Sequence, residues 1–340
     1  MKKGRKIASP AKGPQRLLFF DILRITFVFT IVYEHFKFSY FAGFNGLFFA
    51  DGFLPFNIYT AGLQGWAVFG LISVSGAVLE YNYKRIEGYW EYSKFLVKRC
   101  IRIYPAFWMS LLFGLLLNIA LTSSAAGEII KSNLFYIIFE YTGFFVVLGQ
   151  GPGFINTMGW FIGTIILLYL LFPWLSAFVR KYKLIAIIAL MIVTYSSRWL
   201  FFTYDAMLPS LLWRWFPLCN LFEFCLGIYI VQMSFYPKNV KDYPIIHEIA
   251  ELSFYVFLFH VIIIQVFTVG VGYGTVITGF FDVQFSRFPE LIQNILRYTI
   301  IEVTVLLVSI VAMKIDRKIQ RCIRQNQRVR DFLTSRQPVR

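Results

Sequence analysis

The chain has 340 residues, roughly enough for two or three soluble domains, yet 58% of them are hydrophobic and only 15% charged. That balance excludes an ordinary soluble fold and points to the bilayer. The formal charge is +15, and most of it sits at the ends: residues 1–16 hold six Lys/Arg and no acid, and residues 314–340 hold nine against Asp316 and Asp331. The aromatics lie inside apolar runs rather than among these basic residues, which argues against a nucleic-acid stacking platform. Basic ends flanking spans suit anionic lipid headgroups instead.

Apolar runs of about 20 residues, the length of a bilayer crossing, predict eight spans. They fall at 17–39, 62–81, 103–121, 159–179, 184–202, 210–233, 252–272 and 293–313. The first follows basic residues, as a signal peptide does, but it is too long for a signal core and no small-residue cleavage site follows it. It reads as an uncleaved span. The chain thus divides into a basic tail (1–16), a transmembrane domain (17–313) and a second basic tail (314–340). Cys100, Cys219, Cys225 and Cys322 form no C-x-x-C pair and are expected as free thiols.

With the N-terminus in the cytoplasm, the inner segments 1–16, 82–102, 180–183, 234–251 and 314–340 hold 26 of the 33 Lys/Arg, and the outer segments hold only Lys131 and Arg287. The asymmetry places both termini in the cytoplasm. Residues 134–149 are apolar but short, with Glu140 in the middle. A crossing there would move Arg180, Lys181 and Lys183 outside. The segment is expected as a re-entrant or interface-lying helix on the outer side.

Ionisable residues within spans face a bundle interior or a cavity. Arg24, Glu34, His35, Arg198, Arg214, Glu223, His260 and Glu302 are the candidates, and some of them are expected to pair and fix helix packing. Arg24 and His35 lie 11 residues apart, three helical turns, on one face and separated by about 16 Å of rise. Glu34 stands about 100° round from His35. A fixed cation near the inside and a proton acceptor near the outside make Arg24 and His35 the candidate catalytic pair. At the inner mouth of the third span, Arg99 and Arg102 are one helical turn apart and suited to phosphate oxygens of a cytosolic donor. Tyr104 and Pro105 follow directly. His247, in the inner segment 234–251, is given no role.

These residues resemble a known family. Asp21-Ile-Leu-Arg24…His35, Ser75-Gly76 at the end of the second span and Arg99…Arg102-Ile-Tyr104-Pro105…Trp108 are similar to motifs of the acyltransferase 3 family of integral membrane acyltransferases. So, in order, are Trp160…Tyr169-Leu-Leu-Phe-Pro173, Phe222-Glu223…Gly227 and Ser253…His260. The resemblance runs from about residue 17 to 313. It implies an all-α, polytopic transmembrane helix bundle of about eight to ten spans in the cell membrane. It also implies transfer of an acyl group, often acetyl, from cytosolic acyl-CoA to a hydroxyl of a cell-envelope carbohydrate or lipid-linked glycan.

Within that resemblance Arg24 and His35 are catalytic, His35 as base or as covalent carrier. Arg99, Arg102 and Tyr104 are donor-side contacts. Glu223, His260, Trp160 and Ser75 are candidate lining residues, His260 equally readable as packing. Acyl-CoA is the donor substrate, with no tightly bound cofactor, no metal and no nucleic acid expected, and membrane lipid and glycan are the other partners. The chain departs from the family at Ile165, where a glutamate is common, at Phe257, where a tyrosine is, and in the short link from Gly227 to Ser253. A transporter exporting a lipid or glycan is the alternative reading of polar groups in a bundle.

Overall fold

The computed structural model describes residues 17–40, 62–83, 85–122, 131, 133–148, 155–204, 216–237, 243–268 and 285–335. The expected basic tail 1–16, Arg214 and much of the outer segments 40–61 and 273–292 lie outside them. Among the described residues the fold is all-α, with no strand. In chain order the helices are α1 (Leu18–Tyr40), α2 (Gly62–Asn82), α3 (Gly88–Thr122), α4 (Leu134–Thr142), α5 (Gly159–Tyr182), α6 (Leu184–Thr203), α7 (Leu221–Gln232), α8 (Pro244–Thr268), α9 (Glu290–Gln325) and α10 (Gln327–Thr334). Helices α3, α5, α6, α8 and α9 are long and apolar enough to cross a membrane.

Cross-links between helices define two ends of the bundle. Asp21 of α1 meets His247 of α8, and Arg102 of α3 meets Glu251 of α8. Glu80 of α2 meets Arg180 of α5, and Tyr255 of α8 meets Asp316 of α9. This is the basic end. The opposite end carries the close of α1 and α8 and the start of α5.

Three boundaries differ from the hydropathy reading, the first being that of α3, which begins at Gly88 rather than at 103. Helix α8 begins at Pro244 rather than at 252, and α9 runs unbroken past 313 to Gln325. Polar residues hide these turns from a hydropathy window, but tertiary partners hold them helical. Arg317 donates to Glu248 Oε2 at 2.6 Å and to Glu251 Oε1 at 3.3 Å. After α9, Phe332 of α10 packs edge-on against Trp90 with ring centroids 4.8 Å apart.

The short segment 134–148 is broken into two pieces and is too short to cross a membrane as one helix. Helix α4 stops at Gly143, whose φ of 77° lies in the left-handed region that suits glycine, and a 3₁₀ turn Phe144–Leu148 follows. The tip reaches the middle of α3, where Tyr104 Oη and Trp108 Nε1 donate to the carbonyls of Thr142 and Tyr141 at 2.7 and 2.8 Å. Glu140 is buried, and its two oxygens accept from the backbone N–H groups of Ile155 and Asn156, each at 2.8 Å. A buried carboxylate thereby satisfies donors in irregular chain that lipid could not. Asn156 continues the network to Ser110 Oγ at 3.0 Å and Leu258 O at 2.9 Å, tying α5 to α3 and α8.

Helices α2 and α7 approach most closely where glycine permits it. A Cβ on Gly76 would stand 2.0 Å from the carbonyl oxygen of Phe224, and one on Gly227 would stand 1.8 Å from that of Ser73. Small residues at such a crossing let backbones touch and replace the hydrophobic drive that lipid removes. The Ser75-Gly76 and Glu223…Gly227 motifs are thus two sides of one contact.

Candidate active site

Near the end opposite the basic one, α1 and α8 bring His35 and His260 together. His260 is fully buried. Its Nδ1 lies 2.8 Å from Phe257 O and 3.1 Å from Val256 O. Carbonyl oxygens only accept, so Nδ1 carries the proton, and the neutral ring presents a lone pair at Nε2. That Nε2 is 3.1 Å from His35 Nδ1, which also lies 3.0 Å from Ile31 O. Both neighbours of His35 Nδ1 are acceptors, so it too is N–H and donates to them. The basic lone pair of His35 is therefore on Nε2. The rings stand 5.0 Å apart, centroid to centroid. The pair has the form of a base held in one tautomer by a second group.

Toward the basic end, three arginines gather around Tyr169 of α5. The Tyr169 hydroxyl bonds to Ser75, and Arg24, Arg99 and Arg102 all act on it electrostatically. Each arginine is held in place. Arg24 Nη1 donates to Asp21 Oδ1 at 3.1 Å. Arg99 Nη2 donates to Tyr83 Oη at 2.7 Å, with its guanidinium 4.9 Å over that ring. Arg102 Nη1 donates to Glu251 Oε1 at 3.3 Å. Asp21, with Oδ2 2.5 Å from His247 Nδ1, joins α1 to α8 beside Arg24.

The structure therefore brings Arg24, Arg99, Arg102 and Ser75 into one group and His35 and His260 into another, about 16 Å along the axis. Tyr104 stands elsewhere. It lies about 140° round α3 from Arg99, its ring tilted against that of Trp108 at 5.2 Å and its hydroxyl bonded to the C-terminal end of α4. Trp160 packs against Phe145 and Val146 in that same region. Glu223 forms a fully buried ion pair with Arg198, joining α7 to α6, and Arg198 also lies 5.3 Å over the Tyr195 ring. Glu302 bonds to Tyr298 on its own helix.

Asp21, Tyr169, Glu251 and His247 complete the basic group, yet the sequence reading left them out as site residues. Asp21 had a local signal, one turn before Arg24. His247 had none, because its partner lies more than 200 residues away. Among the described residues no group of three or more His, Cys, Asp or Glu side chains is placed to hold a metal ion.

A helical bundle with a contacting imidazole pair and a separate arginine cluster belongs, by its family match, to the membrane acyltransferases. A family model described as an acyltransferase domain matches residues 17–246, well over half the chain. The chain belongs to the acyltransferase 3 family. No curated protein and no solved structure matches it. The matched stretch includes Arg24, His35, Ser75, Arg99, Arg102 and Trp160 but ends one residue before His247. The place of His260 beside His35 rests on geometry.

Proposed function

We propose that the protein is an O-acyltransferase of the cell membrane. It moves an acyl group, acetyl in the simplest case, from cytosolic acyl-CoA to a hydroxyl of a cell-envelope carbohydrate or lipid-linked glycan. The basic end faces the cytoplasm with both termini, as the Lys/Arg asymmetry supports. The single observation carrying the chemistry is the His260–His35 contact, a second acceptor for the Nδ1–H of His35 beside Ile31 O, which supports Nε2 as its basic nitrogen.

In this mechanism the donor's anionic groups rest among Arg24, Arg99 and Arg102, and its arm runs along α1 to His35. Arg24 lies about 16 Å of rise from His35 and acts on the donor's head, not on the reacting carbonyl. His35 Nε2 takes the proton of the acceptor hydroxyl as its oxygen attacks the thioester carbonyl. The C–S bond breaks, and the imidazolium returns the proton to the leaving thiolate. During the step His260 Nε2 accepts from His35 Nδ1–H and stabilises the charged ring.

The test uses purified protein in nanodiscs with labelled acetyl-CoA and a glycan acceptor. His35→Ala is expected to lower kcat by about 10²–10⁴-fold while retaining the wild-type melting profile. Transfer at the wild-type rate by this variant would remove His35 from the chemistry. Product that appears without a thioester donor would favour transport.

A further inference from the structure

A cleft of about 440 Å³ opens at the basic end, between the residues after α2 and the last turns of α5. Arg85, Arg180 and Lys181 stand at it, Tyr83 and Phe172 form an aromatic wall, and Ser176 lies beside Arg180. Arg180 is anchored by the buried carboxylate of Glu80 at 2.8 Å. Arg85 and Lys181 are exposed, and Arg85 pairs at 2.7 Å with the likewise exposed Glu87. An ion pair in water is worth little and gives way to a stronger anion. The aromatic wall leads inward: Tyr83 accepts from Arg99 Nη2 at 2.7 Å, and Tyr169, Phe172, Ser176 and Arg180 fall on one stripe of α5.

A short step and a long one separate the functional groups along the axis. The cleft wall adjoins the arginine group, since Phe172 is one helical turn from Tyr169 and Tyr83 bonds Arg99, whereas from Arg24 to His35 is 11 residues, about 16 Å. A donor that reaches His35 from this cleft must therefore have two anionic groups near one end and a long arm beyond them. Coenzyme A has that pattern: a phosphorylated adenosine, then a diphosphate, then an extended arm ending in the thioester.

The geometry points to the cleft as the site for the 3′-phosphoadenosine end of the donor. Arg85 and Lys181 bind the 3′-phosphate and the Tyr83–Phe172 wall holds the base. The diphosphate lies deeper, among Arg99, Arg102 and Arg24. This rests on the acyl-CoA reading above.

The experiment compares wild type with Arg85→Ala/Lys181→Ala, both changes on exposed side chains. Donors are acetyl-CoA and acetyl-3′-dephospho-CoA, and binding of 3′,5′-ADP is titrated directly. In the variant the KM for acetyl-CoA should rise at least about tenfold, and its preference over the dephospho donor should collapse; 3′,5′-ADP affinity should fall by a similar factor. An unchanged preference, or no 3′,5′-ADP binding to wild type, overturns the assignment. Titrations run in phosphatidylcholine and in phosphatidylglycerol nanodiscs should agree. Loss of 3′,5′-ADP binding in phosphatidylglycerol would assign the cleft to lipid headgroups and overturn it too. Cleft-dependent 3′,5′-ADP binding without acyl transfer sinks the activity and leaves the cleft, whereas transfer with a variant-independent KM does the reverse.

Discussion

Replacing His260 tests the paired-imidazole site at its least expected member. In His260→Ala the Nδ1–H of His35 keeps Ile31 O, 3.0 Å away, as acceptor. The tautomer is therefore preserved, and what is lost is one hydrogen bond to the ring when it becomes positively charged. Hydrogen bonds to charged groups contribute about 1.5–3 kcal/mol, which corresponds to roughly a 10- to 150-fold fall in kcat. The KM for the donor should move little, because the arginine cluster lies about 16 Å away. His260→Gln places an amide oxygen where Nε2 stood and should recover much of the loss. The assay is steady-state transfer from labelled acetyl-CoA at saturating acceptor, with thermal unfolding as the control for folding. Wild-type kcat in His260→Ala, or a Gln variant as slow as the Ala variant in a protein of unchanged stability, would refute the reasoning.

Three further outcomes concern the scaffold. Gly227→Ala should lower thermal stability by about 1–3 kcal/mol or more, read as a drop in Tm in detergent, because its Cβ would meet Ser73 O at 1.8 Å. Arg198→Met alone strands a buried carboxylate and should cost about 3–5 kcal/mol. Arg198→Met with Glu223→Leu should restore much of that loss, and a thermal-melt double-mutant cycle checks it. Glu140→Gln leaves one oxygen for two backbone donors and should cost about 1–3 kcal/mol, seen as faster hydrogen exchange at residues 155–158.

Hydropathy located what lipid selects for. The expected spans 159–179 and 184–202 lie within Gly159–Tyr182 and Leu184–Thr203, because apolar length is a local property. It failed where helical turns are polar. His247, Glu248 and Glu251 read as loop, yet their partners Asp21, Arg317 and Arg102 fold them into α8. The R-x-x-R run announced a cation pair, and helical geometry delivered it, but the same geometry turned Tyr104 toward the end of α4. His35 and His260 were each visible in sequence. Their contact was not, since a distance between helices has no signature in either one.

The orientation of His260 also bears on the energetics of the membrane. Its second nitrogen ends on two backbone carbonyls, which accept a proton's hydrogen bond but cannot carry the proton onward. His260 therefore offers His35 an acceptor but no onward relay through its second nitrogen. In the proposed mechanism the histidine contact is thus a dead end for protons, and acyl transfer opens no proton path through α8 along it.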